Sequence, residues 1–447
     1  MMRGEDIRAA RKARGWSISV LVAALTESAG RDGIHLMSAT SLKTSISRWE
    51  NGHHTPDDLY ARQLAKVLHL PYIGDPLAQG REYPRDIAAA ITVLDALATA
   101  DNTNDPALAT AGSITSMGAS QVVTGFLFAQ SPTAAAGTLE PVSGIAIADR
   151  IRAMAATMMS MDFAHGGGHV RSRLLEFFRT QVIPELHAAH PEPVRREIFS
   201  AAAELAQILG WSAYDAGRHP AAIRYFIQGL RLAEEGADQL MGARLMANLS
   251  HQANFVRRFD DAVMYARAAQ SALRGHNSPS VETMAVMMEA RGLASLADEK
   301  GTAASIHRAE QLFERRHGDE PAWIGYYDPA ELAGDASHCW RDLQIAPQTK
   351  TFVAEALTDD TPPRTRAFIQ MVAADGSLVA GDLEEAGTLA AAAVINGGDL
   401  RSARYLSYLH DFYTRLPAGT DRHPALAEFV DLLNTRHPAI VQAAALR

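Results

Sequence analysis

The chain has few of the features that would place it in a secreted, membrane or sheet-containing class. Its single cysteine, Cys339, excludes an internal disulfide and indicates a reducing compartment, where a lone cysteine is usually a small buried residue. There is no basic-then-apolar leader, and no apolar run reaches the roughly 18 residues of a membrane-spanning helix. No stretch alternates with a period of two for long enough to predict a sheet. We therefore expect an all-α, cytoplasmic protein with no membrane partner.

Charge is distributed unevenly along the chain. The whole sequence carries 42 basic and 51 acidic side chains, and its formal net charge of −9 alone would argue against nucleic acid. Residues 1–80 nevertheless hold ten basic against eight acidic side chains, which leaves 32 against 43 in the remainder. A slightly basic head on an acidic body suits a protein that presents one small surface to DNA and keeps the rest away from it.

The segment from Thr44 to Gly52 reads T-S-I-S-R-W-E-N-G and is the most informative in the chain. In a helix, Ile46 and Trp49 lie three residues apart on one buried face. The opposite face then carries short polar and cationic side chains that can reach base edges and phosphates. We expect base contacts from Lys43, Thr44, Ser47 and Arg48, and contacts nearer the phosphates from Ser45 and Asn51.

This residue order resembles the second half of the helix-turn-helix in phage-repressor-type (XRE-family) regulators. The likeness extends over residues 1–78, a helix-turn-helix DNA-binding domain. Ile7 to Ser17 is similar to the family's first helix and turn, and Ser17 is placed to cap a second helix. Residues 55–58 (T-P-D-D) suit the start of a further helix. The resemblance implies that Arg11 pairs with Glu50 and ties the first helix to the recognition helix.

Three departures from the family pattern affect the details of this domain. Ile18 stands where the family usually has Gln, which removes one common phosphate contact. The turn between the second and third helices, residues 27–38, is longer than usual and is read as a surface loop. Leu42 occupies the position of the usual serine cap, so we expect Ser41 or Thr40 to cap a recognition helix that begins early.

Residues 79–145 are read as a connector between the head and the body. The pattern from Pro84 to Ala100 predicts a helix with Ile91 and Leu94 on one face, which the D-N-T-N-D-P run at 101–106 ends. The region that follows is rich in Ala, Ser, Thr and Gly and has little charge. We expect it to be part helical and part mobile loop.

Residues 146–447 are helical in pattern, and the pattern repeats. Marker positions of the recurring inter-helix turn fall at Ala222, Ala262, Ser305 and Ala386. The last step is about twice the others and implies one degenerate unit between. The spacing of small and bulky residues resembles that of tetratricopeptide repeats. That resemblance implies a solenoid of stacked helical hairpins with a concave groove, closed at its C-terminal end by helices from Leu406 to Leu416 and Leu426 to Leu433.

The order of parts resembles bacterial regulators that join an XRE-type head to a tetratricopeptide body, among them peptide-responsive quorum-sensing regulators. The resemblance implies a homodimer on a near-palindromic double-stranded DNA operator, and we expect a repressor controlled by a peptide or small-molecule effector. The first helix of each hairpin would present polar and aromatic side chains to that effector. The candidates are Gln207, Trp211, Tyr214, Arg244, Asn248, His251, Asn254 and Arg291, with Glu204 and Asp375 on the same rows.

Other functions stay open at the level of the sequence. The alternative is a protein-interaction scaffold whose head no longer binds DNA, since tetratricopeptide bodies mostly bind proteins. The groove side chains could also only pack between helices or face solvent. His165 and His169 flank a triple glycine but lack the further ligands of a metal site, and the glycines lack the Lys-Ser/Thr of a phosphate loop. We expect no metal, no cofactor and no enzymatic activity.

Overall fold

A computed structural model of the protein describes residues 4–31, 36–51, 56, 58–68, 86–102, 116–128, 145–165 and 171–445, the last range without 399, 418, 420 and 421. These residues contain helices and no strand, which confirms the all-α fold class. Within the same ranges, no helix has both the length and the apolar character needed to cross a bilayer. The contacts divide the chain into two units, residues 1–82 and 83–447. Gly52, Thr55 and His169 lie outside the described residues.

The described part of the smaller unit contains four helices around one apolar core. They are α1 (Gly4–Ala13), α2 (Ile18–Arg31), α3 (Ala39–Glu50) and α4 (Asp58–Leu68). Helix α3 contacts both α1 and α2, and its Trp49 ring lies 5.3 Å from that of Tyr60 in α4. The apolar spacing of each helix places one stripe inward. The core consists of Ile7, Leu21, Val22, Leu25, Leu42, Ile46, Trp49, Tyr60, Leu64 and Leu68.

Single hydroxyl groups determine where α2 and α3 begin. The Ser17 Oγ accepts a hydrogen bond from the Val20 amide at 3.2 Å, which confirms the predicted cap of α2. Helix α3 begins early, as expected, but its cap is Ser38, whose Oγ accepts from the Ser41 amide at 3.3 Å. The prediction of Ser41 or Thr40 as the cap was wrong, because both already lie in the first turn of the helix.

Two of the described helices lie in the predicted connector and belong to the larger unit. They are α5 (Ile87–Asn102) and α6 (Ser116–Phe128). At the end of α5, the buried carboxylate of Asp101 accepts from the Arg171 guanidinium and, at 3.1 Å, from the Tyr225 hydroxyl. In α6, the Phe126 ring fills the space that a side chain at Gly242 would occupy. Both helices are therefore held by side chains of the larger unit.

The rest of the larger unit is a succession of helices, most of them in consecutive pairs. The chain first forms α7 (Ile145–His165), α8 (Arg171–Phe177), a π-helical turn (Phe178–Val182) and α9 (Ile183–His187). The five pairs are α10 (Glu192–Asp215) with α11 (His219–Glu235), α12 (Gln239–Phe255) with α13 (Phe259–Ala272), α14 (Pro279–Ser295) with α15 (Glu299–Phe313), α16 (Pro329–Asp342) with α17 (Ala346–Ala356), and α18 (Pro363–Ala380) with α19 (Leu383–Gly397). Helices α20 (Ala403–Thr414), α21 (Pro424–Arg436) and α22 (Pro438–Ala445) follow the fifth pair.

The five pairs are stacked in series. Each first helix contacts its own partner and also the first helix of the next pair. The fourth pair, α16 with α17, lies between Ser305 and Ala386, where the double step of the marker positions predicts a degenerate unit. Cys339 of α16 is fully buried and forms no disulfide, so it serves as a small core residue.

The first helix of every pair ends with the same backbone turn. One residue adopts a left-handed conformation, and the next amide bonds back to the carbonyl five residues earlier, as from Arg218 to Ala213 at 2.8 Å. Glycine, which adopts this conformation without strain, occupies the position in only two of the pairs. The repeat of the backbone is therefore more regular than the repeat of the sequence. The five residues are Gly217, Arg257, Ala297, Gln344 and Gly381, with φ from 60° to 81°.

Candidate DNA-binding helix and candidate ligand cavity

The outer face of α3 carries the side chains predicted to read DNA. Lys43, Thr44 and Arg48 are exposed, and Ser45 and Ser47 are half-buried. In a helix, residues three or four positions apart lie one turn above each other. Positions 43 and 44 therefore share one face with positions 47 and 48. The helix thus presents two cations and two hydroxyl groups together, while its opposite face is packed in the core.

A buried ion pair holds α3 against α1. The Arg11 Nε donates to Glu50 Oε1 at 2.6 Å, and Arg11 Nη2 donates to Glu50 Oε2 at 2.8 Å. Arg11 Nη1 also donates to the Trp16 carbonyl at 2.7 Å, so the guanidinium bridges the helix and the turn that follows it. The hydrogen bonds that Arg11 donates to Glu50 raise the pKa of Arg11, although partial burial acts in the opposite direction. The pair that the resemblance implied is present.

Asn51 lies at the end of α3 and is engaged within the smaller unit. Its Nδ2 donates to the Ser47 carbonyl at 2.7 Å, and its Oδ1 accepts from the Arg8 guanidinium. Arg8 was not among the predicted DNA contacts, yet its half-exposed side chain lies at the end of the exposed face of α3. Its sequence position, three residues before Arg11 on α1, places the two arginines on one side of that helix.

The larger unit contains a cavity of about 160 Å³ among the first helices of its pairs. Its walls come from α7, α10, α12, α14, α16, α18 and α20. A second, more polar cavity of about 640 Å³ adjoins it, with His251, Arg291 and Tyr408 common to both. The first cavity takes in six of the predicted ligand residues: Gln207, Trp211, Arg244, Asn248, His251 and Arg291. Asn254 and Asp375 line the second cavity.

Tyr214 and Glu204 were expected on the groove but line neither of these cavities. Tyr214 is fully buried, and its hydroxyl is hydrogen-bonded to His251 Nδ1 at 2.9 Å. Its ring also packs edge-on against Trp211, with centroids 5.5 Å apart. Glu204 is buried among the helices, and this burial raises the pKa of its carboxyl. Tyr214 can therefore affect a ligand only by orienting His251 and Trp211.

Four arginines line the first cavity, and three of them have a carboxylate partner. Arg291 Nη1 lies 2.9 Å from Asp335 Oδ1. Arg364 and Arg404 each lie 3.0 Å from a different oxygen of Asp215. Although burial acts in the opposite direction, Arg404 and Arg364 hold the pKa of Asp215 below its usual value. Each of these three cations has a carboxylate of the protein within 3.0 Å, although Arg364 and Arg404 share that of Asp215.

Arg244 differs from the other three arginines. No carboxylate oxygen of the described residues lies within 4.0 Å of its guanidinium. Its Cζ lies 4.7 Å from the centroid of the Trp323 ring, and its Nη2 contacts the Met159 sulfur at 3.6 Å. Its Nε and Nη1 are buried and have no hydrogen-bond partner. The side chain is 4% exposed, so a full positive charge stands in the wall of the cavity with two unused donor nitrogens.

The other titratable groups of the cavity leave it positively charged. Burial and the neighbouring Asp335 raise the pKa of Glu331 to about 7, so this carboxyl is partly protonated at neutral pH. Burial and nearby arginines lower the pKa of both His251 and His338 well below the usual value, so both rings are neutral there. Of the four arginines, Arg244 is the one without a carboxylate within 4.0 Å among the described residues, and the buried Glu204 carboxylate acts on it only from a longer distance.

Several cavity residues lie beyond what the repeat pattern could assign. Glu331 and Asp335 belong to the degenerate fourth pair, and Arg364 and Arg404 stand in the first turns of α18 and α20. The only sequence signal among them is the spacing of the two acids, four residues apart on one helix face. Their meeting in one cavity depends on the way in which the larger unit folds.

No protein-family model, curated protein or solved structure matches this chain. Its function therefore has to be inferred from two places in the molecule: the exposed face of α3 in the smaller unit, and the cationic cavity in the larger one.

Proposed function

We propose that the protein is a sequence-specific, DNA-binding transcription regulator whose affinity for DNA responds to a ligand bound in the larger unit. The observation that carries this proposal is the exposure of Lys43, Thr44 and Arg48 on one face of α3. The major groove admits a helix, and cationic and hydroxyl side chains on its outer face can reach base edges there.

The rigidity of α3 supports the same reading. Sequence is read only when the side chains are held in a fixed register relative to the bases. The Arg11–Glu50 ion pair fixes the end of α3 through polar contacts. The packing of Trp49 against Tyr60 fixes its apolar face. Arg8, next to the end of α3, adds a cation suited to the phosphate backbone.

The functional form that we propose is a homodimer on a near-palindromic operator. One recognition helix contacts too few base pairs to select a site in a genome, whereas two helices about one turn of DNA apart read two half-sites. The tetratricopeptide-like larger unit would supply the dimer contact and the ligand response. A ligand alters operator affinity by the difference between its affinities for the two states of the regulator.

Selection of duplexes from a random pool by the full-length protein tests this proposal. We expect enrichment of a near-palindromic motif, with half-sites about ten base pairs apart. Uniform binding of all sequences, weakened equally by salt, would contradict sequence-specific recognition. The absence of DNA binding together with recovery of a protein partner would favour the alternative, an interaction scaffold.

A further inference from the structure

We propose that the cavity around Arg244 binds a small monocarboxylate, a molecule with one carboxylate and a compact apolar body, and that Arg244 is its counter-ion. The proposal names the effector class of the regulator and therefore rests on the proposed function for its biological meaning. The binding site itself is defined by the larger unit alone. It consists of Arg244, the polar residues next to it on α12 and α10, and the apolar walls opposite.

The unpaired charge of Arg244 is the reason for a negatively charged ligand. Burying a guanidinium without a carboxylate is costly, and the aromatic and sulfur contacts of Arg244 offset only part of that cost. Two of its nitrogens have no acceptor although they are shielded from solvent. A carboxylate that accepts from these nitrogens would complete a charge-assisted pair in a site of low dielectric constant.

The remaining charges favour a single negative charge on the ligand. The other three arginines already contact Asp335 or Asp215, so Arg244 is the one of the four that has no carboxylate within 4.0 Å among the described residues. Glu331 and Asp335 also line the cavity and repel a second negative charge. A carboxylate satisfies these conditions better than a doubly charged phosphate.

Polar partners for the carboxylate lie on the same face as Arg244. Asn248, one turn along α12, accepts from Gln207 Nε2 at 2.6 Å, which fixes both amides. His251 follows one further turn along, and its Nδ1 is engaged by Tyr214. The Oε1 of Gln207 is buried and has no hydrogen-bond partner. It could accept from a hydroxyl or N–H group of the ligand.

The apolar walls and the volume limit the rest of the ligand. Met284, Met288, Phe368 and Ile369 line the cavity with Ile208 and Trp211. A volume of about 160 Å³ is close to that of cavities of about 150 Å³ that hold a benzene molecule. One ring or a short branched chain fits within this first cavity. Methionine side chains adapt their shape and tolerate variation in the apolar part.

Calorimetric titration of the full-length protein in the absence of DNA tests the site. The probes are benzoate, phenylacetate and hexanoate, each compared with its neutral amide, and inorganic phosphate. We expect at least one of the acids to bind. The affinity of its neutral amide should be lower by a factor of about ten or more. No binding by any of the three acids, or equal binding by the amide or phosphate, would overturn the proposal.

Variants separate the role of Arg244 from the integrity of the fold. Arg244→Gln should weaken the binding of the acid by about tenfold or more, and Arg244→Lys should keep part of it. Arg274→Gln, a change at an exposed arginine on the same unit, should leave the affinity unchanged. Unchanged affinity in Arg244→Gln would assign the acid to another place. Because this titration contains no DNA, a negative result would contradict the ligand site and not the proposed operator binding. A failure to select an operator would likewise leave the ligand site unaffected.

Discussion

Arg11 and Glu50 are joined side by side, with both carboxylate oxygens of Glu50 accepting from the guanidinium of Arg11 at 2.6 and 2.8 Å. The Glu50 side chain is only 4% exposed and that of Arg11 11%, so the pair is largely shielded from solvent. It connects α1 with the last residue of the helix that would read DNA. The position of the exposed face of α3 therefore depends on this contact.

Removing Arg11 should loosen α3. Among the described residues, Arg11→Gln leaves the buried Glu50 carboxylate with Arg8, at 3.8 Å, as its cationic partner, and it should destabilise α3 by about 2–3 kcal/mol. Lys12→Gln, one position further along on an exposed side chain, is the matched control and should change stability by less than about 0.5 kcal/mol. Native-state hydrogen exchange of the α3 amides measures both effects. Equal exchange in the two variants would contradict the structural role of the pair.

Gly210 tests the packing of the first pair of helices in the larger unit. A Cβ at this position would lie 2.5 Å from the Phe226 ring, so α10 and α11 approach closely only without a side chain there. Gly210→Ala should lower the free energy of unfolding by about 1–3 kcal/mol. Gly318→Ala, at an exposed position with open space around it, is the control. Chemical denaturation compares them, and a neutral Gly210→Ala would mean that the helices are further apart.

Arg244 should lower the stability of the protein when no ligand is present. Arg244→Met replaces an unpaired buried charge with an apolar side chain and should raise the free energy of unfolding by about 1 kcal/mol. Asp335→Asn should have the opposite effect, by about 3 kcal/mol, because it leaves Arg291 without its carboxylate and weakens the 2.8 Å hydrogen bond from Tyr327. Thermal unfolding of the ligand-free variants measures both. A loss of stability in Arg244→Met would show that Arg244 serves packing instead.

The affinity for a monocarboxylate should depend on pH through Glu331. The pKa of Glu331 is raised to about 7, so this side chain gains a negative charge as pH rises through neutrality. The acid should therefore bind about fivefold more weakly at about pH 8 than at about pH 6. His251 and His338 stay neutral over this range because burial lowers their pKa values. Calorimetry on Glu331→Gln should show no such trend, and a persistent trend would exclude Glu331 as its source.

The smaller unit could largely be predicted because its determinants are local. The three-residue spacing of Ile46 and Trp49 predicts the buried face of α3, and Ser17 caps α2 as expected. The Arg11–Glu50 pair is distant in sequence, and it was predicted only through the resemblance to a family. Ser38 was missed as a cap because the long preceding turn hides the register of the helix.

The cavity could be predicted only in part, for a physical reason. Gln207, Trp211 and Arg244 follow from the repeat because the first helices of the early pairs keep a regular spacing. The position of Arg404 does not follow from the repeat. Arg404 is held at the cavity by Asp215, which lies 189 positions earlier in the sequence and also accepts a hydrogen bond from Ser402. Helical periodicity carries no information about such long-range pairs.

The most direct test of DNA recognition is fluorescence anisotropy of the full-length protein on the selected duplex and on duplexes with single base changes, all at one salt concentration. Arg48→Ala should relax the preference at one position of each half-site by about 1–3 kcal/mol. Arg274→Ala, which removes an exposed arginine from the larger unit, should leave the profile of base preference unchanged. If Arg48→Ala weakens binding to every duplex by the same factor, or does not change it, α3 does not read the sequence and the proposed function is wrong.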